Sequence, residues 1–163
     1  PEIRQHFLTA IFAHADMRHF ENNAKSIREL VEFHTKYKYL LMLYSQKKLQ
    51  QLGKIVANYK KGDFENTLSE YAKTFYSVFE KKPGIKKHYN VLQHIYGYFS
   101  DKIRPYEKKH FQSLLKKLQH SQIPLSTIFE LTKNFAFRFE NLYLMSQKYF
   151  SPYPEQLEFG ISG

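Results

Sequence analysis

The stretch that decides the fold is residues 26–45, which read SIRELVEFHTKYKYLLMLYS. Ser26, followed three positions later by Glu29, forms a capping box, the arrangement in which two side chains satisfy free backbone donors at a helix start. The residues of the predicted inner face recur at intervals of three and four, which is helical spacing; they are Ile27, Leu30, Val31, His34, Tyr37, Leu41 and Tyr44. The segment therefore predicts an amphipathic helix that ends near Tyr44, with Ser45 placed to cap the next helix.

The same spacing runs through the rest of the chain. Glycine and proline are sparse, and no alternating β-branched run or Asn-Gly turn indicates a strand. On the first helix, Ile3, Phe7 and Ile11 share one stripe, the fifth helix is expected from Ile85 to Ile103, and the last from Leu142 to Phe150. The pattern predicts an all-α fold, a compact single-domain bundle of seven or eight helices.

Composition bounds the class of protein. A chain of 163 residues with 42% hydrophobic and 17% aromatic residues can bury a core without covalent staples. No apolar stretch approaches the roughly 18 residues of a membrane span, so we expect a cytoplasmic protein with no membrane partner. We expect residues 1–22 to be an N-terminal helix, residues 23–157 to be the helical domain, and residues 158–163 to be a loose tail.

The chain contains no cysteine. That absence excludes disulfides, cysteine-ligated zinc, iron–sulfur clusters and thiol nucleophiles from these residues. Neither a phosphate-binding Walker loop nor a G-x-S-x-G nucleophile motif occurs. His14, Asp16 and His19 are close in sequence, but their spacing does not put all three on one helix face, and no metal site is predicted.

Positive charge is concentrated in the middle of the chain. From Lys36 to Lys117 there are 17 Lys and one Arg against six acidic residues, a net charge of +12, while the remaining residues carry seven basic and nine acidic side chains. One interpretation is a set of solvated helix faces that happen to be rich in lysine. The other is a surface that binds the phosphates of a polyanion.

Two polar sets lie at helical spacing and predict a groove. His34 and Lys38 share a face of the second helix, and Lys87, Asn90 and His94 share a stripe of the fifth. If both helices face one groove, we expect it to hold RNA, with phosphates on Lys36, Lys38, Lys47, Lys48, Lys54, Lys86 and Lys87. The groove itself would be lined by His34, Tyr37, Tyr44, Asn90, Gln93, His94 and Tyr98. The alternative is that His34 and His94 are structural side chains that join helices through hydrogen bonds.

Four motifs resemble a known family, the YbgA-like domain family. They are Phe33-His34-x-x-Tyr37-Lys38-Tyr39-x-Leu41-Met42-x-Tyr44-Ser45, Leu52-Gly53-x-x-Val56-Ala57, Asn90-Val91-Leu92-Gln93-His94-x-x-Gly97-Tyr98-Phe99 and Gln147-x-Tyr149-x-x-Pro152-Tyr153-Pro154. The resemblance covers roughly Ile27 to Leu157, and it implies that the N-terminal helix at residues 1–22 is a connector to an upstream domain. Each motif is short, and it is their combination that is specific.

The resemblance implies a function in RNA metabolism. Members of that family occur alone or fused behind a TudS-like domain, an iron–sulfur desulfidase that removes sulfur from thiouracil. It therefore implies a role on thiolated uridine in tRNA, with this domain holding the RNA. The iron–sulfur cluster is expected only in a fused or partner desulfidase domain, because this chain has no cysteine to hold it. The resemblance transfers no catalytic residues.

The leading hypothesis is thus that the chain is an RNA-binding accessory domain. It would bind tRNA and present the thiolated uridine to a TudS-like desulfidase domain outside this chain. A second hypothesis is a stand-alone enzyme on a small anionic substrate, with His34 or His94 as general base near Lys38 or Lys87. A third is a protein-interaction domain that docks on a catalytic partner through the first helix. The third hypothesis predicts that removal of residues 1–20 abolishes docking and leaves the fold intact.

Overall fold

A computed structural model describes residues 2–158 of the chain. This part of the chain contains eight α-helices and no strand, so the predicted all-α class is confirmed. The helices are α1 (Glu2–Asn23), α2 (Ile27–Tyr44), α3 (Gln46–Ala57), α4 (Phe64–Tyr76), α5 (Ile85–Tyr96), α6 (Pro105–Gln119), α7 (Leu125–Arg138) and α8 (Leu142–Met145). Two short 3-10 turns cover Val78–Glu80 and Glu155–Leu157.

The contacts divide the chain into two compact units. Unit 1 takes in the residues up to Lys82 together with those from Gln147 onwards, and unit 2 is Pro83–Ser146. In unit 1, α2 packs on α3, α3 on α4, and α4 on α1. In unit 2, α5, α6 and α7 pack on one another, and α8 packs on α7. The predicted tail at 158–163 lies outside the described residues, apart from Glu158.

The predicted helix start in residues 26–45 is confirmed. Ser26 Oγ accepts a hydrogen bond from the Glu29 N–H, and the Ser26 hydroxyl lies 2.9 Å from Glu29 Oε2. Ser45 ends α2 and caps α3, since its hydroxyl accepts the N–H of Lys48 at 3.2 Å. Both caps follow from local sequence alone.

An aromatic cluster forms the core of unit 1. The rings of Phe33 and Tyr37 on α2 lie 4.8 Å apart, and Tyr37 meets Phe75 of α4 edge-on at 5.1 Å. Tyr37, Tyr71 and Phe75 are fully buried. Ring pairs in such geometries add to the energy of burial, so this cluster fixes α2 against α4. In unit 2, Phe99, Phe111 and Phe135 form a separate aromatic cluster.

The predicted stripe of α1 lies on the exposed face of the helix. Ile3, Phe7 and Ile11 share a face, but they are 77%, 62% and 45% exposed. The residues that α1 buries are Thr9, Ala13 and Met17. The face of α1 that packs in unit 1 is therefore the one with Thr9, Ala13 and Met17, and the apolar stripe is left on the outside.

Two predicted helices are shorter than expected. The fifth ends at Tyr96 rather than Ile103, because the N–H of Tyr98 bonds the carbonyl of Ile95 and the chain tightens into turns. The last ends at Met145 rather than Phe150. There Ser146 ends the helix, and the residue that follows it, Gln147, bonds to α2.

Gln147 ties the end of the chain to the middle of α2. Its side-chain amide donates from Nε2 to the carbonyl of Thr35 at 2.7 Å, and its Oε1 accepts the N–H of Tyr39 at 3.3 Å. The next residue donates its N–H to the carbonyl of Lys36 at 2.9 Å. Thr35 and Tyr39 are one turn apart, so a buried side chain takes part in the backbone hydrogen bonding of the helix.

Candidate nucleic-acid interface

His34 is half-buried in unit 1 and has a partner from another helix. Its Nδ1 lies 2.9 Å from the hydroxyl of Tyr71 on α4, and the two rings meet edge to face. The opposite ring nitrogen, Nε2, faces α3, where a Cβ at Gly53 would lie 3.8 Å away. Two of the motifs that carry the family resemblance therefore meet here, the one around His34 and the one around Gly53.

Burial controls the charge of this pair. Burial, with a smaller contribution from the nearby Lys38 ammonium, lowers the pKa of His34 to about 4. Burial also raises the pKa of the Tyr71 phenol. Both groups are therefore neutral at pH 7. An imidazole with so low a pKa is a weak general base, and its position fits a structural link between α2 and α4 at least as well as a catalytic role.

The lysines predicted in unit 1 fall into two groups. Lys36, Lys47 and Lys54 are exposed, and their ammonium groups make no ion pair or hydrogen bond with any of residues 2–158. Lys47 and Lys54 are seven positions apart on α3, which places them two turns apart on one face, about 10 Å along the axis. These three side chains are available to phosphate.

Lys38 and Lys48 are half-buried and already have neighbours. The ammonium of Lys38 lies 5.4 Å from the centre of the Tyr39 ring, a cation–π contact. The ammonium of Lys48 donates to the carbonyl of Ser77, at the end of α4. Lys48 thus helps to join α3 to α4, which the spacing of charges along the sequence does not reveal.

Tyr37 and Tyr44 do not line an open groove, and this expectation is wrong. Tyr37 is 1% exposed and Tyr44 is 5% exposed. Tyr37 donates to Asp16 Oδ2 at 2.5 Å, and the Tyr44 hydroxyl lies 2.9 Å from His6 Nδ1. Burial raises the pKa of the Tyr37 phenol and raises the pKa of Tyr44 to about 12. Both rings belong to the core, because α1 packs over the face of α2 that carries them.

The other predicted residues lie in unit 2. Lys86 and Lys87 are exposed in the first turn of α5, Asn90 is half-buried, and His94 is exposed. Gln93 is half-buried and donates to the Tyr89 hydroxyl at 3.3 Å. Tyr98 is 38% exposed, with its ring 5.8 Å from that of Tyr143. The predicted common groove would join these residues to His34 and Lys38 of unit 1, and it stays a prediction.

A second polar network, which is only partly buried, was not expected from sequence. Asp16 of α1 accepts from the Tyr37 hydroxyl and lies 3.1 Å from the ammonium of Lys148. Together with Gln147 it binds the returning chain to unit 1. In the sequence, only the resemblance motif that begins at Gln147 points to this region. Helical spacing does not predict the contacts, because the partners of Gln147 on α2 lie more than 100 residues away.

An open cleft in unit 1 has a different character. Its volume is about 740 Å³, and its charged lining residues are Glu21, Lys25, Asp63 and Glu65. An acidic lining repels phosphate, so this cleft does not extend the basic surface. It includes neither His34 nor His94. Among residues 2–158 no group of three or more His, Asp or Glu side chains is arranged to hold a metal ion, and no helix is long and apolar enough to cross a membrane.

Comparison with known proteins gives a family without an assigned activity. Residues 38–154 match the family described as a protein of unknown function, DUF1722. Over 157 residues the chain is 23% identical to the uncharacterized protein YbgA of Escherichia coli strain K12, which covers 96% of this chain and 93% of the relative. No solved structure matches the chain. The match spans most of the described helices, from within α2 to beyond α8, and the chain belongs to the DUF1722 family, as its YbgA-like motifs predicted.

Proposed function

We propose that this chain is an accessory domain that binds tRNA and presents thiolated uridine to a TudS-like desulfidase domain outside these residues. The observation that carries the RNA-binding part is the exposed, unpaired state of Lys36, Lys47 and Lys54 within a segment whose net charge is +12. Unpaired ammonium groups retain their full attraction for phosphate and release counterions when they bind it. The desulfidase part rests on the family resemblance.

Equilibrium binding to tRNA tests the proposal. We would compare tRNA with duplex DNA of equal length at about 50 and 200 mM salt, where each phosphate contact contributes a slope of about −0.7 to −0.9 in log K against log salt concentration. The proposal expects a preference for tRNA and a slope that corresponds to several contacts. Equal and weak binding to both polymers would mean that the basic surface attracts any polyanion without preference, which would contradict the proposal.

Charge reversal locates the contacts. Lys47→Glu combined with Lys54→Glu should weaken tRNA binding by roughly tenfold or more at 50 mM salt and flatten the salt slope by about two contacts. The matched control is Arg4→Glu with Lys25→Glu, two exposed cations of unit 1 outside the basic segment. Lys148 is unsuitable as a control because it pairs with Asp16. If both double variants lose the same tRNA affinity, the phosphate contacts are not located on α3.

A specific observation favours a second candidate, docking on a catalytic partner through α1. Ile3, Phe7 and Ile11 form an exposed apolar stripe on α1, and contiguous exposed apolar surface is typical of interaction sites. Deletion of the helix is not a clean test, because Met17 is fully buried and Asp16 bonds Tyr37, so the loss of α1 would open the core of unit 1.

Point substitutions separate docking from folding. A variant with serine at positions 3, 7 and 11 should keep its helical circular dichroism and lose association with a co-expressed TudS-like domain. The control places serine at the exposed Gln5 and His19, which lie on the same helix but off that stripe. Association that survives the triple substitution would remove α1 as the docking element.

A further inference from the structure

One end of unit 2 carries an exposed aromatic ring beside cations that the predicted site did not include. Tyr106, the second residue of α6, is 65% exposed. Nη1 of Arg104 donates to its hydroxyl at 3.2 Å. No ring or cation among residues 2–158 is stacked on the Tyr106 ring, so the guanidinium holds the edge of the ring and leaves its faces open to a ligand.

The carboxylate of Glu107 bonds to two of the neighbouring arginines. Its Oε2 accepts the backbone N–H of Arg104 at 2.7 Å, and its Oε1 accepts from Nη1 of Arg138 at 2.5 Å. This carboxylate therefore holds the end of α7 against the start of α6. The Arg104 N–H, followed by the Arg138 guanidinium, lowers the pKa of Glu107, which stays ionised and keeps both contacts at neutral pH.

Lys102 is a third cation at this surface, because it shares the ring of Phe139 with Arg138. The Arg138 guanidinium lies 5.0 Å from the centre of the Phe139 ring, and the ammonium of Lys102 lies 5.8 Å from the same centre. The contacts through Glu107 and Phe139 thus bring together segments that are more than 30 residues apart in sequence. We name this surface the Tyr106 patch; it comprises Lys102, Arg104, Tyr106, Arg138 and Phe139.

The charge of the patch is positive. Lys108 and Lys109 follow Tyr106 on α6, and the acidic residues nearby in sequence are Asp101, Glu107 and Glu140, so these segments carry five cations and three carboxylates. One of these carboxylates, Glu107, is already bonded to Arg104 and Arg138. An open aromatic face with cations at its edge combines the two interactions used for single-stranded nucleic acid, base stacking and phosphate contact.

We propose that the Tyr106 patch binds an unpaired nucleobase of an RNA strand, with the base stacked on the ring of Tyr106 and the adjoining phosphates on Arg104 and Lys102. This inference rests on the proposed RNA-binding function and extends it to a site on unit 2. Unpaired bases present both faces to a protein, whereas bases in a duplex are stacked on each other. The patch therefore favours loops and single strands. An acidic protein segment would use the cations but would not need the open ring face.

Binding of two defined RNAs tests the inference. The probes are a 12-nucleotide oligouridylate, whose bases are unstacked, and a 12-base-pair RNA duplex. Tyr106→Ala should weaken oligouridylate binding by roughly 5- to 100-fold and change duplex binding by less than about twofold. Tyr106→Trp, which keeps a stacking face, should restore it. The matched control is Lys116→Gln, in the last turn of α6, which should weaken both probes to a similar and small extent.

The outcomes distinguish this inference from the broader proposal. If the unmodified chain binds tRNA but neither short RNA, the stacking site is overturned and the RNA-binding proposal stands; if it binds none of the three, both proposals fail. If it binds RNA and Tyr106→Ala binds oligouridylate as well as before, or loses both probes equally, the stacking site is overturned and the RNA-binding proposal stands. If polyglutamate binds as tightly as oligouridylate and with the same dependence on Tyr106, the patch takes acidic protein segments instead. Circular dichroism of each variant checks that the fold is kept, and a 5-iodouridine probe should photocross-link to the peptide that contains Tyr106.

Discussion

Mild acid should destabilise unit 1 through His34. Burial, with a smaller effect from Lys38, lowers the pKa of this imidazole from 6.5 to about 4 in the folded chain. Between these values the unfolded chain binds more protons than the folded chain, so stability falls as pH falls. The contribution of His34 is complete above pH 6.5 and is lost progressively as the pH drops towards 4.

The size of the effect follows from the two pKa values. Each unit of pKa difference is worth about 1.4 kcal/mol, and the part of the window between pH 7.5 and pH 5 corresponds to about 2 kcal/mol. His34 is half-buried, so water screens part of the penalty. We therefore expect the loss of unfolding free energy attributable to His34 over that range to be about 1–2 kcal/mol.

Urea unfolding followed by circular dichroism measures this difference. His34→Gln keeps an oxygen that can accept from the Tyr71 hydroxyl and does not titrate, so the variant should lose about 1–2 kcal/mol less than the unmodified chain between pH 7.5 and pH 5. The matched control is His94→Gln, because His94 is exposed. That variant should follow the unmodified chain at both pH values. If His34→Gln and the unmodified chain lose stability equally, the imidazole is not held neutral by burial and the reasoning is wrong.

Two further predictions concern stability and can be measured by urea or thermal unfolding. Gln147→Ala should lower the free energy of unfolding by about 2–4 kcal/mol, because the carbonyl of Thr35 and the N–H of Tyr39 both lose a buried partner. A decrease below about 0.5 kcal/mol would mean that these two backbone groups find hydrogen-bond partners within α2 when the side chain is absent. Met17→Ala should cost about 2–5 kcal/mol, whereas Phe7→Ala should change stability by less than about 0.5 kcal/mol, because Met17 is fully buried and Phe7 is 62% exposed. Equal costs for these two variants would contradict the orientation of α1.

Local sequence was sufficient for the helices. The capping box at Ser26, the cap at Ser45 and proline in the first turn of α6 are interactions between residues a few positions apart, and all three are found. Helix ends set by distant contacts were missed. The last helix stops early because Gln147 bonds α2, and no signal near Met145 reports a partner more than 100 residues away.

The candidate site was predicted less completely, for a related reason. Helical spacing groups residues on a face but does not say whether another helix covers that face. Tyr37 and Tyr44 have the same spacing as surface aromatics and are core residues, while Lys36, Lys47 and Lys54 are exposed as expected. The Tyr106 patch had a weak signal in the alternation of rings with arginine at residues 104–106 and 137–139, outside the two polar sets that predicted the groove.

Sequence by itself determined the all-α class, the starts of the main helices, the family and the excess of lysine in the middle of the chain. Those properties depend on composition, on motifs and on hydrogen bonds within a few residues. Tertiary structure decided which face of α1 is buried, that the His34 imidazole is shielded from water, and that Glu107 joins Arg104 to Arg138. The physical reason is that burial and ion pairing depend on packing between helices. Residues of the same type at the same helical spacing are buried in the core, bonded to a neighbouring helix or exposed to solvent, depending on which residues pack against them.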